Sequence, residues 1–137
     1  MANKLELPRD EMAIRKIYKV LVDRKELTTV FRPGKRVCGD FRGYCQNEKI
    51  KVRIVNKVGA DWAMLPPEFI PDFIKEVEIV SIEAITLGEL KPEHFIGSSP
   101  DVQNKEALIH HLGIIYNLDR ESLTDDFLIT RINFRYL

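Results

Sequence analysis

The sequence predicts a mixed α+β domain: a small, partly closed β-barrel with flanking helices. Three observations lead there. Stretches of alternating apolar residues are short and separated by turn residues, as in small barrels. Two other stretches carry the 3.6-residue apolar repeat of helices. The 137 residues with 45% apolar content suit one domain with a real core. We therefore expect a single domain over residues 1–137, with an N-terminal helix at about 10–23.

The elements follow in order. Asp10 is placed to cap the first helix, and Ile14, Ile17, Tyr18 and Leu21 make its apolar stripe. Thr28 to Phe31 reads as a short strand, because β-branched and aromatic residues fit a pleated surface. Arg32-Pro33-Gly34-Lys35-Arg36 turns the chain, and Gly39 and Gly43 mark a loop. Lys49 to Val55 is the clearest strand: Ile50, Val52 and Ile54 alternate with Lys49, Lys51 and Arg53. One apolar and one basic face predict a half-buried antiparallel strand.

Asn56 to Asp61 is a connection, and Trp62 to Leu65 a short strand or turn. Pro66, Pro67 and Pro71 are expected to break structure around Phe69 and Phe73, and Val77 to Ile85 returns to strand. Thr86 with Glu89 three residues on starts a short helix or turn. Ser98 to Asp101 is a loop. A helix is expected over Asn104 to Tyr116, with Leu108, His111, Leu112 and Ile115 inward and Asn117 at its exit. Phe127 to Tyr136 closes the chain as a strand.

Formal net charge is zero, but the charges are sorted. Arg15 to Lys57 holds thirteen Lys or Arg against four acids, and Val58 to Leu137 holds six against fourteen. A neutral molecule with a local basic face can still steer a polyanion. No stretch approaches the 18 or so apolar residues of a membrane span. Met1 to Asp10 lacks the apolar run of a secretory leader. Cys38 and Cys45 are too few for a disulfide framework; they flank a turn-rich segment across which they could pair, but we expect reduced thiols and a cytoplasmic protein.

The order of several segments resembles the ASCH domain family, part of the PUA-like group of RNA-associated barrels. Arg24 to Lys35, reading Arg-Lys-Glu-Leu-Thr-Thr-Val-Phe-Arg-Pro-Gly-Lys, resembles the family's opening. Gly39-Asp40 is similar to its turn before an early strand, and Lys49 to Val55 to that strand. Val80 to Leu90, Gly113 to Asn117 and Phe134 to Leu137 are also similar to family segments. The resemblance implies a PUA-like barrel with a cleft between barrel and helices that takes RNA or a modified nucleotide.

One bacterial branch of that family is a small amidohydrolase that removes the acetyl group from acetylated cytidine. It uses a lysine, a threonine just after it and a later glutamate. Lys25 matches the lysine, and Thr28 or Thr29 matches the threonine with an insertion. The glutamate has no clean match; Glu93 and Asp101 are the nearest acids. By this resemblance Lys25, Thr28 and Thr29 are the catalytic candidates. Such a lysine would need its pKa depressed to act near neutral pH.

The residues themselves point to anion binding. Lys25, Arg32, Lys35 and Arg36 crowd a Pro-Gly turn, where their donors can converge on phosphate. Lys49, Lys51 and Arg53 add a basic strand face, and Phe41, Tyr44 and Trp62 could stack on bases. The same strand face could equally be a solvated one that pairs with Glu76, Glu78 or Glu83. His94, His110, His111 and the two cysteines have no metal-ligand spacing, and no phosphate-cradling glycine motif is present. We expect neither metal nor cofactor.

Overall fold

The structure, a computed structural model, describes residues 10–40, 42–55 and 69–137. Among them are five strands: β1 (Glu11–Arg15), β2 (Thr29–Pro33), β3 (Lys49–Val55), β4 (Phe69–Thr86) and β5 (Leu128–Tyr136). Two helices, α1 (Lys19–Asp23) and α2 (Lys105–Tyr116), accompany them. The strands form one sheet in the order β1-β3-β4-β5-β2. β1 runs parallel to β3, and every other pairing is antiparallel. The sheet curls into a half-barrel.

β4 is the spine. Its first half pairs with β3 and its second half with β5. A register shift falls between Ile79 and Ser81, where the partners change. Such an irregularity bends a strand and increases its twist. The Ile79 backbone is held there by Asn47 N–H donating to its carbonyl at 2.7 Å and by its own N–H donating to Glu48 O at 2.9 Å. The expected break at Pro71 is instead a strand residue. It lies where the β3–β4 register is irregular, beside Asp72 at φ 64°, a place that tolerates a missing ladder donor.

Two apolar cores lie on opposite sides of the curled sheet. The concave side buries Met12, Ile14, Val52, Ile54, Val77 and Phe134, with Tyr18 and Val22 from the α1 segment packed into them. The convex side buries Phe31, Ile129 and Phe95 under Leu108, Ile109 and Leu112 of α2. Adjacent residues of β2 therefore serve different cores: Val30 the inner and Phe31 the outer. α2 matches its expected span. Asn104 caps it by accepting from Ala107 N–H at 2.8 Å, and Asn117 ends it in the left-handed region at φ 53°.

The expected helix over 10–23 is the main correction. Glu11–Arg15 is a strand, residues Lys16–Tyr18 form a single 3₁₀ turn, and only Lys19–Asp23 is α-helical. Met12 and Ile14 obey the two-residue period and lie beside Val52 and Ile54 of β3. The stripe joined strand and helix residues into one pattern, and its member Ile17 is 62% exposed. Available pairing along β3 outweighs the local helical repeat.

The thiols are the second correction: Cys38 and Cys45 form a disulfide. The loop bends back on itself through Asp40 N–H to Val37 O and Gly43 N–H to Asp40 O. A side chain at Gly43 would overlap the Val37 carbonyl, so glycine permits this approach. Phe41, the connection 56–61, Trp62 to Leu65 and the prolines Pro66 and Pro67 lie outside the described residues. Among those described, no helix is long and apolar enough to cross a membrane.

Gly97 tests how tightly the start of β2 is tied down. Its carbonyl accepts from both Thr28 N–H (2.9 Å) and Thr29 N–H (3.1 Å), and its φ is +85°. An added methyl would overlap the Thr28 hydroxyl. Gly97→Ala should destabilise the fold by about 1–3 kcal/mol in urea denaturation, from conformational strain plus overlap. An unchanged midpoint would contradict this packing.

Candidate functional site at the open edges of the sheet

β1 and β2 are the two ends of the sheet, and they approach each other without a strand ladder. Arg32 of β2 spans the seam. Its Nη2 donates to Ala13 O of β1 at 3.0 Å, while Nη1 donates to Phe31 O of its own strand at 3.1 Å. The turn after β2 is clipped to β5 through Thr130. That hydroxyl donates to Gly34 O at 2.7 Å and accepts from Arg36 N–H at 2.8 Å. Thr130 is fully buried, so it fixes where Arg36 begins.

Arginines gather along this seam. The Arg36 guanidinium is pushed below the ordinary arginine value first by burial, then by repulsion from Arg32 and Arg42, with Tyr116 and Tyr44 acting the other way. It stays charged, so its neighbours form a standing positive field. Arg15, the last residue of β1, places its guanidinium 5.9 Å from the centre of the Tyr18 ring. Its Nε is buried with no hydrogen-bond partner among the described residues.

A polar cluster from three further segments meets the seam. Tyr18 O–H donates to Asp101 Oδ2 at 2.6 Å, and Ser99 O–H donates to Asp101 Oδ1 at 2.6 Å. His111 of α2 places Nδ1 3.4 Å from the Tyr18 hydroxyl. Burial and the bond to Asp101 raise the Tyr18 phenol to about 12. Burial lowers His111 to about 4; Asp101 opposes this, and Arg15 and Arg32 reinforce it. Burial works to raise Asp101, but Ser99, Tyr18 and His111 outweigh it and leave the carboxyl below its ordinary value. At neutral pH the cluster is an ionised Asp101, a neutral His111 and a protonated Tyr18.

The sequence-derived cationic candidates fall in three places. Arg32 and Arg36 are at the seam, with exposed Lys35 on the turn between them. Lys25, in the left-handed region at φ 62°, instead lines an open depression of about 470 Å³ with Lys51, Ile74, Lys75, Glu76 and Tyr136. The basic face of β3 stands opposite acids: Lys49 pairs in register with Glu78 and Lys51 with Glu76. Arg53 Nη1 lies 3.2 Å from Glu11 Oε1, and its guanidinium 4.9 Å from the centre of the Phe69 ring.

The threonines are already engaged. Thr29 is 1% exposed; its hydroxyl donates to Ile96 O at 2.7 Å and accepts from Asn133 Nδ2 at 2.9 Å. The backbone of Thr28 bridges Gly97 and Phe134. Tyr44 is buried, and its hydroxyl donates to Glu11 O at 2.6 Å. Asp101 is tied to Tyr18 and Ser99 rather than to a threonine. The sequence reading missed Arg15, Tyr18 and Arg42 as site residues. The Met12–Ile14 alternation was the signal that could have put Arg15 at the end of a strand.

The buried imidazole has a measurable consequence. An unfolded histidine takes up its proton near 6.5, but His111 in the fold takes it up only near 4. Between those values the unfolded chain binds the extra proton, so this contribution to stability falls as pH drops from about 6.5 to about 4. It amounts to about 3 kcal/mol over the window. The stabilisation from Asp101 is present at and above its ordinary carboxyl value and is lost only below it, outside most of this range. Urea denaturation at about pH 7 and about pH 4.5 should show a steeper loss for the parent than for His111→Gln. Identical losses would contradict a neutral, buried His111.

With the geometry in view, comparison with known proteins shows the fold. No family model and no curated protein sequence matches the chain. Solved structures do. The crystal structure of a protein from Enterococcus faecalis V583, described under the family model DUF984, superposes with TM-score 0.56 at 9% identity. The match covers 88% of this chain and 70% of that one. The ASCH domain from Lactobacillus crispatus JV V101 superposes with TM-score 0.51 at 12% identity, with the same coverages. The family resemblance in the sequence and the curled five-stranded sheet thus agree: this chain has the fold of an ASCH domain.

Proposed function

We propose that the chain binds RNA or a nucleotide, with the phosphate held at the seam between β1 and β2. One observation carries this reading: Arg32 and Arg42 each stand close enough to act on Arg36, and Arg15 and Arg32 together act on His111. A surface that concentrates guanidinium charge favours an anion, and the planar fork of arginine matches phosphate oxygens. Lys35 extends the positive rim. Lys25 and Lys51, with Lys75, offer a separate cationic depression for the backbone of a longer RNA. Lys49 and Arg53 are weaker contacts in this scheme, because Glu78 and Glu11 already face them.

Salt dependence separates phosphate contacts from other attraction. Affinity for a short single-stranded RNA should fall with added salt, with a log–log slope of about −1.4 to −2.1 for two or three phosphate contacts. Arg36→Ala should weaken binding about tenfold and flatten that slope by roughly 0.7. Absence of binding to RNA and to nucleoside monophosphates at low salt would overturn the proposal.

A further inference from the structure

A carboxylate stands beside these arginines: Asp101 and Arg15 both act on Tyr18 and on His111. The Asp101 side chain is 50% exposed, yet both of its oxygens are fixed. Oδ2 accepts from Tyr18 and Oδ1 from Ser99, each at 2.6 Å, and both donor residues are buried. A carboxylate has about four lone-pair sites, so two donors leave acceptor capacity on its exposed side. Among the described residues, the one basic side chain within 4.0 Å of the carboxylate is His111, at 4.0 Å. That imidazole is neutral near pH 7 and supplies no counter-charge. Because Tyr18 and Ser99 both spend their protons on Asp101, the carboxylate faces outward as a pure acceptor. A phosphate is repelled from it, whereas an N–H or O–H is what it can take.

Resting on the nucleotide reading above, we propose that Asp101 is the specificity-determining acceptor of the site. It takes a hydrogen-bond donor of the nucleotide while the phosphate lies toward Arg15, Arg32 and Arg36. Two nucleotide groups share that chemistry, the exocyclic amino group of a base and the hydroxyls of ribose. A carbonyl oxygen in place of the amino group sets acceptor against acceptor. A deoxyribose in place of ribose leaves the carboxylate without its donor. Tyr18 and Ser99 act as positioning residues, holding the carboxylate in one orientation.

The test is calorimetric titration of the full chain with nucleoside monophosphates. Amino-bearing bases (cytosine, adenine) are compared with carbonyl-bearing ones (uracil, hypoxanthine), and each ribonucleotide with its deoxy form. The proposal expects a preference of about tenfold to a hundredfold along one of the two axes, the range set by a hydrogen bond to a charged group. That axis identifies the donor. Asp101→Ala should reduce the preference below about threefold. Asp101→Asn keeps the volume, removes the charge and should do the same, which covers the case in which the alanine variant fails to fold. Measurable binding with no preference on either axis, or a preference that survives both substitutions, would overturn the role of Asp101 and leave the phosphate site standing. Absence of binding by every nucleotide would overturn both.

Discussion

The sheet stops one pairing short of closure, and Arg32 stands in that place. β1 and β2 are its free edges, and the guanidinium joins them by a bond to the Ala13 carbonyl. Had the edges paired, a continuous ladder would seal the inner core and leave no place for Arg32 between them. Had they separated, Met12, Ile14 and Val30 would lose their cover from the concave side. A long cationic side chain is a compromise between the two. It satisfies an edge carbonyl, packs its stem and keeps charge at the opening. The loop closed by the Cys38–Cys45 disulfide supports the same region, since Tyr44 within it bonds to Glu11 O of β1.

The sorted charge of the sequence is explained by strand pairing. β3 comes from the basic half and β4 from the acidic half, and their antiparallel register sets Lys49 against Glu78 and Lys51 against Glu76. Within the second half, Glu83 faces Arg131 and Glu78 faces Arg135 on β5. Opposite charges across a ladder stabilise it modestly and cancel its far field. Away from that pairing, Arg32 and Arg42 act on Arg36, and Arg15 and Arg32 act on His111.

Much of this was legible in the sequence, and what was not has physical causes. β3 is plain because one face is buried and the other solvated, so alternation appears undiluted. α2 is plain because its cap residues and apolar stripe agree. β1 was hidden because it is short and runs straight into a helix, so a two-residue and a 3.6-residue period blend. Pro71 misled because its cost depends on ladder register, which is tertiary. Arg32 and Arg36 were visible as a cluster beside a Pro-Gly turn. Lys25 and Thr29 could not be placed, since only the fold shows that one lines another depression and the other is hydrogen-bonded in the core. Tyr18 lies 83 residues of chain from Asp101 and 93 from His111, and no local pattern joins it to them.

The central claim is that the anion sits at the seam and not on the basic face of β3. Mapping chemical-shift changes of the chain as a nucleoside monophosphate is added tests this most directly. The account predicts that shifts cluster at Arg15, Arg32, Arg36 and His111, with Lys49 and Lys51 unmoved. Shifts confined to β3 and to the depression around Lys25, with the seam silent, would contradict it.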